Sequence, residues 1–162
     1  MGILTEDMQR LVTEQRLGFH ATVSEDGTPN LSPKGTTCVW DDDHLFFAEI
    51  HSPQTLKNLR RGSEIEINVV DPFVRKGYRF KGKAIVAERG DQLYEEGLVK
   101  LGKAGYSAIP ERIGAIVVIA VERAHALISP AYDDGSSEDE VGQVWDSHYA
   151  KLRQTAKDPF GV

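Results

Sequence analysis

The sequence predicts a mainly β domain with flanking helices, its strands wound into a closed or split barrel. Three observations predict it. About six segments alternate apolar and polar residues with a period of two, as in Phe19-His20-Ala21-Thr22-Val23 and Ile65-Glu66-Ile67-Asn68-Val69. Short turns separate several of them, among them Glu25-Asp26-Gly27-Thr28-Pro29 and Asp41-Asp42-Asp43-His44. Helical patterns intervene at only a few junctions, whereas a doubly wound parallel sheet needs a helix at each crossover.

The elements follow in order. Thr5 caps a helix over residues 5–16, where Leu4, Met8, Leu11, Val12 and Gln15 recur at helical spacing. The period then changes to two, with Phe19, Ala21 and Val23 on one face of a strand and His20, Thr22 and Ser24 on the other. After the turn at 25–29, a second strand runs over 30–40, interrupted by Pro33 and Gly35, and a third over 45–50. Residues 52–62 form a short helix with Ser52 as N-cap, Pro53 at its first position and Gly62 as its stop. Arg60 and Arg61 complement the negative end of its dipole. Ile65, Ile67 and Val69 mark a half-exposed strand, and Tyr78, Phe80 and Gly82 the next. A helix over 90–103 presents Leu93, Tyr94, Leu98 and Leu101, and residues 113–121 form a central strand apolar on both faces. Ser129-Pro130 ends the sheet region. Ser137-Glu138-Asp139-Glu140 is a capping box for a last helix, which repeats Val141, Val144, Trp145, His148 and Leu152 along one face. Residues 158–162 are a short tail.

At 162 residues the chain has the length of one domain. Its expected division is a barrel over 1–130, with the C-terminal amphipathic helix and tail of 131–162 packed on the same domain. Apolar residues make up 40 % and charged residues 27 %, as in an ordinary globular protein. No apolar run approaches the roughly 20 residues of a membrane helix, and the start MGILTEDMQR lacks the basic and apolar regions of a secretory signal. One cysteine excludes an internal disulfide framework and a cysteine-based zinc site. The expectation is a cytoplasmic protein with no membrane partner. A net charge of −6 argues against general nucleic-acid binding. The charge is uneven: residues 57–83 hold eight Lys and Arg against three acids, whereas 133–146 hold six acids and no base. Solvated faces account for such runs; so do an anion site mid-chain and an acidic arm at its end.

No GxSxG, HExxH or GxxxxGK pattern is present, and the five histidines lack ligand spacing, so a metal site is not expected. Cys38, within a strand, reads as a small core residue. Three pieces remain. Ser52 and Thr55 sit at the cap and third position of a helix start, where free N–H groups and the dipole favour an anion; simple capping explains them equally. In Ser32-Pro33-Lys34-Gly35-Thr36-Thr37, Lys34 brings charge and Gly35 permits close approach. Thr36 and Thr37 place hydroxyls on opposite faces. A planar ring lying along the strand and a bulged edge strand are equally good readings. Finally, Arg75-Lys76-Gly77-Tyr78-Arg79-Phe80-Lys81-Gly82-Lys83 puts Arg79, Lys81 and Lys83 on one strand face, either solvated or facing an anion.

Taken in order, these pieces resemble the pyridoxamine 5'-phosphate oxidase-like superfamily of FMN-binding split barrels. The resemblance spans residues 18–86: the 25–29 turn, Leu31-Ser32-Pro33-Lys34-Gly35, Leu45-Phe46-Phe47-Ala48, Thr55-Leu56-Lys57-Asn58-Leu59-Arg60 and Gly77-Tyr78-Arg79-Phe80-Lys81-Gly82. The last third is similar to a bacterial subgroup of uncharacterised members. The resemblance implies a six-stranded split β-barrel forming a homodimer, with FMN in a groove between subunits. The strand of Ser32 and Lys34 to Thr37 would run along the flavin ring, and Ser52 and Thr55 would face the phosphate, joined by Lys57 or Asn58. Lys76 or Arg79 would complete the anion site. Tyr132 and Trp145 would reach the ring from the C-terminal arm, core packing being the alternative for Trp145.

Two departures follow from the same resemblance. The oxidases that give the family its name carry an Arg-Lys pair at the helix start, where this chain has Gln54 and Thr55. Their C-terminal substrate segment has no counterpart here. Pyridoxamine phosphate is therefore not the expected substrate. The expected activity is FMN-dependent oxidoreduction of a small-molecule substrate or reductant. The alternatives are a non-catalytic flavin, deazaflavin or haem binding or stress protein on the same fold, and a cofactor-free interaction module using its acidic arm.

Overall fold

The computed structural model describes residues 2–106 and 110–157. It contains, in chain order, α1 (Glu6–Gln15), β1 (Gly18–Val23), β2 (Pro29–Lys34), β3 (Cys38–Val39), β4 (His44–Glu49), α2 (Pro53–Arg60), β5 (Ile65–Asp71), β6 (Lys76–Glu88), α3 (Gln92–Lys103), β7 (Ala115–Ile128) and α4 (Glu138–Lys157). The strands form one seven-stranded sheet in the order β2-β1-β5-β6-β7-β4-β3, each neighbouring pair antiparallel. This is the split barrel expected, with seven strands in place of six. The difference lies in the segment 30–40, which reads as one interrupted strand. Its two halves are the two outermost strands of the sheet, joined through residues 35–37. The chain leaves β2 at Gly35, and Thr36 docks the link: its hydroxyl donates to the Ala48 carbonyl at 3.0 Å and accepts from the Ala48 N–H at 3.1 Å.

The interior is filled from α1 and from the inward faces of β4 to β7. Leu11, Val12, Leu45, Phe47, Ile65, Ile67, Val69, Phe80, Val117 and Ile119 form one buried cluster. A second cluster, with Phe46, Tyr94, Leu101, Ile113, Ile116 and Val118, lies beneath α3. β7 is therefore apolar on both faces, as its sequence predicts, and it runs on to Ile128. Gly82 lets β6 cross β7 at a register shift after Lys81; a Cβ there would run into the Ala120 carbonyl.

The helix ends follow local chemistry in most places. Thr5 accepts from the Met8 N–H at 3.3 Å. Gly62, at φ 85°, ends α2. Ser137 and Glu140 form the capping box, with Ser137 N–H donating to Glu140 at 2.8 Å. Ser52 differs: it occupies the N-cap position of α2, but its hydroxyl makes no cap bond to the helix. The apolar face expected of α4 is mixed. Val141 is buried, Val144 and Leu152 are exposed, and Trp145 stacks under the Arg75 guanidinium at 3.3 Å. The tail at 158–162 lies outside the described residues.

Candidate ligand site at the seam of the sheet

The start of α2, the end of β4 and the 34–37 link meet where the two sheet edges are joined. Lys34, the last residue of β2, is only 6 % exposed and donates from Nζ to Ser52 Oγ. The Ser52 hydroxyl in turn donates to Glu49 Oε1 at 3.0 Å, and the Ser52 N–H donates to the same oxygen. An ammonium, a hydroxyl and a carboxylate thus stand in line across three elements. Burial holds the Lys34 ammonium below its ordinary pKa, while the nearby Glu49 charge pulls the other way. Its ammonium also stands 5.3 Å from the centre of the Phe47 ring.

His20 supports the link from inside the barrel. Its Nε2 is 2.9 Å from Thr37 Oγ1, and the Thr37 hydroxyl donates to the Lys34 carbonyl at 3.0 Å. That donation uses the only hydroxyl proton, so the imidazole donates from Nε2 and Nδ1 is left without a partner. The ring is fully buried and stands edge-on to Phe47 at 4.7 Å. Burial, with the charge of Lys34, lowers its pKa to about 3, so it is neutral at physiological pH.

α2 is tied to β1 and β2 by amides. Asn30 Nδ2 donates to Thr22 Oγ1 and Thr55 Oγ1, both at 3.1 Å. Asn58 Nδ2 donates to Thr22 Oγ1 at 2.9 Å, and Gln54 Nε2 donates to Asn58 Oδ1 at 2.8 Å. Thr55 and Asn58 are both buried, so their side chains hold the helix against the barrel and do not point outward. A groove of about 560 Å³ opens beyond Asn58, between β1, β5 and the end of α2. Arg61, Ser63, Glu64, Glu66 and Lys81 line its polar side, with Lys81 paired to Glu64 at 3.0 Å.

Of the residues singled out in the sequence, Lys34, Ser52 and Thr37 converge with Thr36, Thr55 and Asn58 around the link and α2. Ser32 is half-buried opposite His20 in the β1–β2 ladder. Gly35 is exposed, and the nearest atom to a Cβ placed there is the Arg16 carbonyl at 3.9 Å. Lys57 is exposed one turn along α2. Lys76 and Arg79 are engaged elsewhere. Lys76 pairs with Glu138 at 2.6 Å and lies over the Tyr132 ring, and Arg79 pairs with Glu66 at 3.1 Å. No described contact brings either to the start of α2. Sequence reasoning passed over Glu49, His20, Thr22 and Asn30. Glu49 carries a usable signal, a lone acid ending the apolar run Leu45-Phe46-Phe47-Ala48 just before a helix start. Among the described residues, no group of three His, Cys, Asp or Glu side chains is placed to hold a metal ion.

The family profile described as pyridoxamine 5'-phosphate oxidase matches residues 4–127 of this sequence, nearly the whole barrel. The chain belongs to that family. Among solved structures of the family fold, HupZ of Group A Streptococcus is 35 % identical; the match covers 77 % of this chain and 94 % of HupZ, with a TM-score of 0.65. HutZ of Vibrio cholerae, described as a heme storage protein, is 19 % identical over 79 % of this chain and 95 % of its own, with a TM-score of 0.62. An FMN-binding protein of Syntrophomonas wolfei is 15 % identical over 76 % of this chain and 85 % of its own, with a TM-score of 0.58. At these lower identities the likeness is one of fold. No curated protein matches the chain. No helix among the described residues is long and apolar enough to cross a membrane.

Proposed function

We propose that this family member is a flavin-binding protein, with FMN as its ligand, and that it acts as an oxidoreductase on a small substrate or reductant. The observation that carries the reading is the buried Lys34 ammonium brought against the start of α2, beside an open glycine on the same link. A flat ring can lie along the backbone of 34–37, because a Cβ placed at Gly35 would meet only the Arg16 carbonyl, at 3.9 Å. The uncapped first turn of α2, with Pro53 lacking an N–H, leaves the Gln54 and Thr55 amides for an anionic tail. Lys57 is exposed on the same helix. The residues therefore fit a flavin, held chiefly along its ring. When bound, the flavin supplies hydride acceptance, and the protein supplies binding, orientation and charge. Lys34 contributes the charge, and Thr36, Thr37 and His20 keep the link rigid.

The family membership supports the reading, as does the FMN-binding protein that shares the fold. Phe19, Val23 and Leu31, exposed on the β1–β2 hairpin, suit a homodimer with the ligand between subunits. HutZ supports a second reading, in which the chain stores haem without catalysis. The visible spectrum of the purified protein, followed by titration with FMN and then with haemin, separates the two. Bound-flavin bands and saturable FMN binding are expected. A Soret band on haemin addition, with no response to FMN, would replace the flavin reading with the storage one.

A further inference from the structure

The start of α2 carries an anion of its own. Glu49 ends β4 as a residue only 6 % exposed, and both its oxygens sit in prepared places. Oε1 accepts from the N–H and the hydroxyl of Ser52. Oε2 lies against Gly114, where an added Cβ would come within 3.2 Å. The Gly114 N–H donates to the Glu49 carbonyl at 2.8 Å, so that edge of the strand is fixed as well. The carboxylate is part of the wall.

We infer that Glu49 sets the ligand choice of this site, by standing as the counter-ion of Lys34 and the partner of Ser52 and so making the site nearly indifferent to a phosphate on the ligand. The inference rests on the flavin reading. Few donors at the start of α2 are free for a phosphate. Ser52, the residue expected to greet a phosphate, has one hydroxyl proton, and it goes to Glu49. The lone pair of that hydroxyl accepts from Lys34, whose charge already has a resident partner across the serine. Pro53 offers no N–H, and the Thr55 hydroxyl is turned inward to Asn30. What is left for a phosphate is the Gln54 and Thr55 amides and the exposed Lys57. Against them stands a carboxylate close to the same helix end, and like charges in a partly buried site repel. Glu49 cannot simply withdraw, because removing it from Ser52 leaves a buried ammonium without a counter-charge. The ligand is then gripped by its ring, and a flavin lacking the phosphate binds about as well as one that has it.

The test is a fluorescence titration of the full chain with FMN and with riboflavin, on the wild type and on Glu49→Gln. In the wild type the two dissociation constants should lie within about tenfold of each other. Glu49→Gln keeps an acceptor for Ser52 and removes the charge. It should tighten FMN about tenfold or more and leave riboflavin unchanged. A wild-type preference for FMN of more than about tenfold would overturn the inference and leave the flavin reading standing. So would a Glu49→Gln protein that shifts both ligands alike. Binding of neither flavin to the wild type would sink the flavin reading, and this inference with it. If Glu49→Gln does not fold, Ser52→Ala, which frees the carboxylate from its hydroxyl donor, is titrated in its place, and an unchanged ratio of FMN to riboflavin affinity there overturns the inference.

Discussion

His20 and Thr37 meet at 2.9 Å inside the barrel wall, and the space for that meeting is made by a residue with no side chain. A Cβ at Gly18 would lie 2.7 Å from Thr37 Oγ1 and 2.8 Å from His20 Nε2. Gly18→Ala must therefore displace one of two buried groups or part them. We expect a loss of about 1–3 kcal/mol, as for overpacking of a tight interior. Urea denaturation gives the number, and a midpoint equal to the wild type's would show that the contact yields freely.

The same imidazole gives a pH dependence with a definite sign. Its folded pKa, about 3, lies below the ordinary 6.5. The unfolded chain therefore takes up the proton first as pH falls. The stability tied to neutral His20 is complete above about pH 6.5 and declines below it, by up to about 1.4 kcal/mol per pH unit, until the folded pKa is reached. Between pH 6.5 and 5 most carboxylates are still ionised, so this is the window in which to look. Urea midpoints should fall across it in the wild type and fall less in His20→Gln. Parallel slopes would remove His20 as the cause.

Asn58 offers a test of how α2 is held. It is fully buried, with its amide spanning Thr22 and Gln54. Asn58→Ala should cost about 1–3 kcal/mol, because the buried Thr22 hydroxyl loses a donor and the exposed Gln54 its tie to the helix interior. Asn58→Asp keeps the acceptor for Gln54 but puts a carboxylate against the Thr22 hydroxyl, which must then turn to donate. Thermal melting should rank the wild type highest.

The C-terminal helix is clasped to the β5–β6 turn by aromatic contacts. Arg75, held at φ 55°, lays its guanidinium 3.3 Å from the Trp145 ring centre, and Phe73 meets Tyr149 at 5.3 Å. Trp145→Ala should loosen α4 by about 1–2 kcal/mol while leaving the barrel folded. Faster hydrogen exchange confined to residues of α4 would show it. Uniformly faster exchange would mean that the helix and barrel melt together.

How much of this could be read from the residues differs from place to place, for physical reasons. The period of two in β1 identifies its two faces, but period alone does not say which faces inward. The usual assumption puts Phe19 and Val23 inside, yet His20 and Thr22 are the buried pair. The outcome depends on Thr37, Asn30 and Asn58, which arrive from distant parts of the chain to satisfy them. The split of 30–40 into two outermost strands has a local sign in Gly35, whereas its destination depends on the pairing of β3 with β4. Ser52 is written as a cap because caps are local. Glu49 and Lys34 take its hydroxyl instead, through contacts that no local rule contains. The elements fixed by nearest neighbours, such as the Thr5 cap, the Gly62 stop and the box at Ser137, stand where the sequence puts them.

The link at 35–37 also decides where the chain tolerates lengthening. The turns at Gly27 and Gly135 stand clear of any neighbour, and added residues there would only enlarge an exposed bend. The link is different, because it tethers the first and last strands of the sheet to each other. One residue inserted beside Thr36 would pay out slack to both margins of the wall together, unhook the hydroxyl from Ala48 and swing Lys34 away from α2. A tether this short acts as a gauge, setting how far apart the two outermost strands may stand.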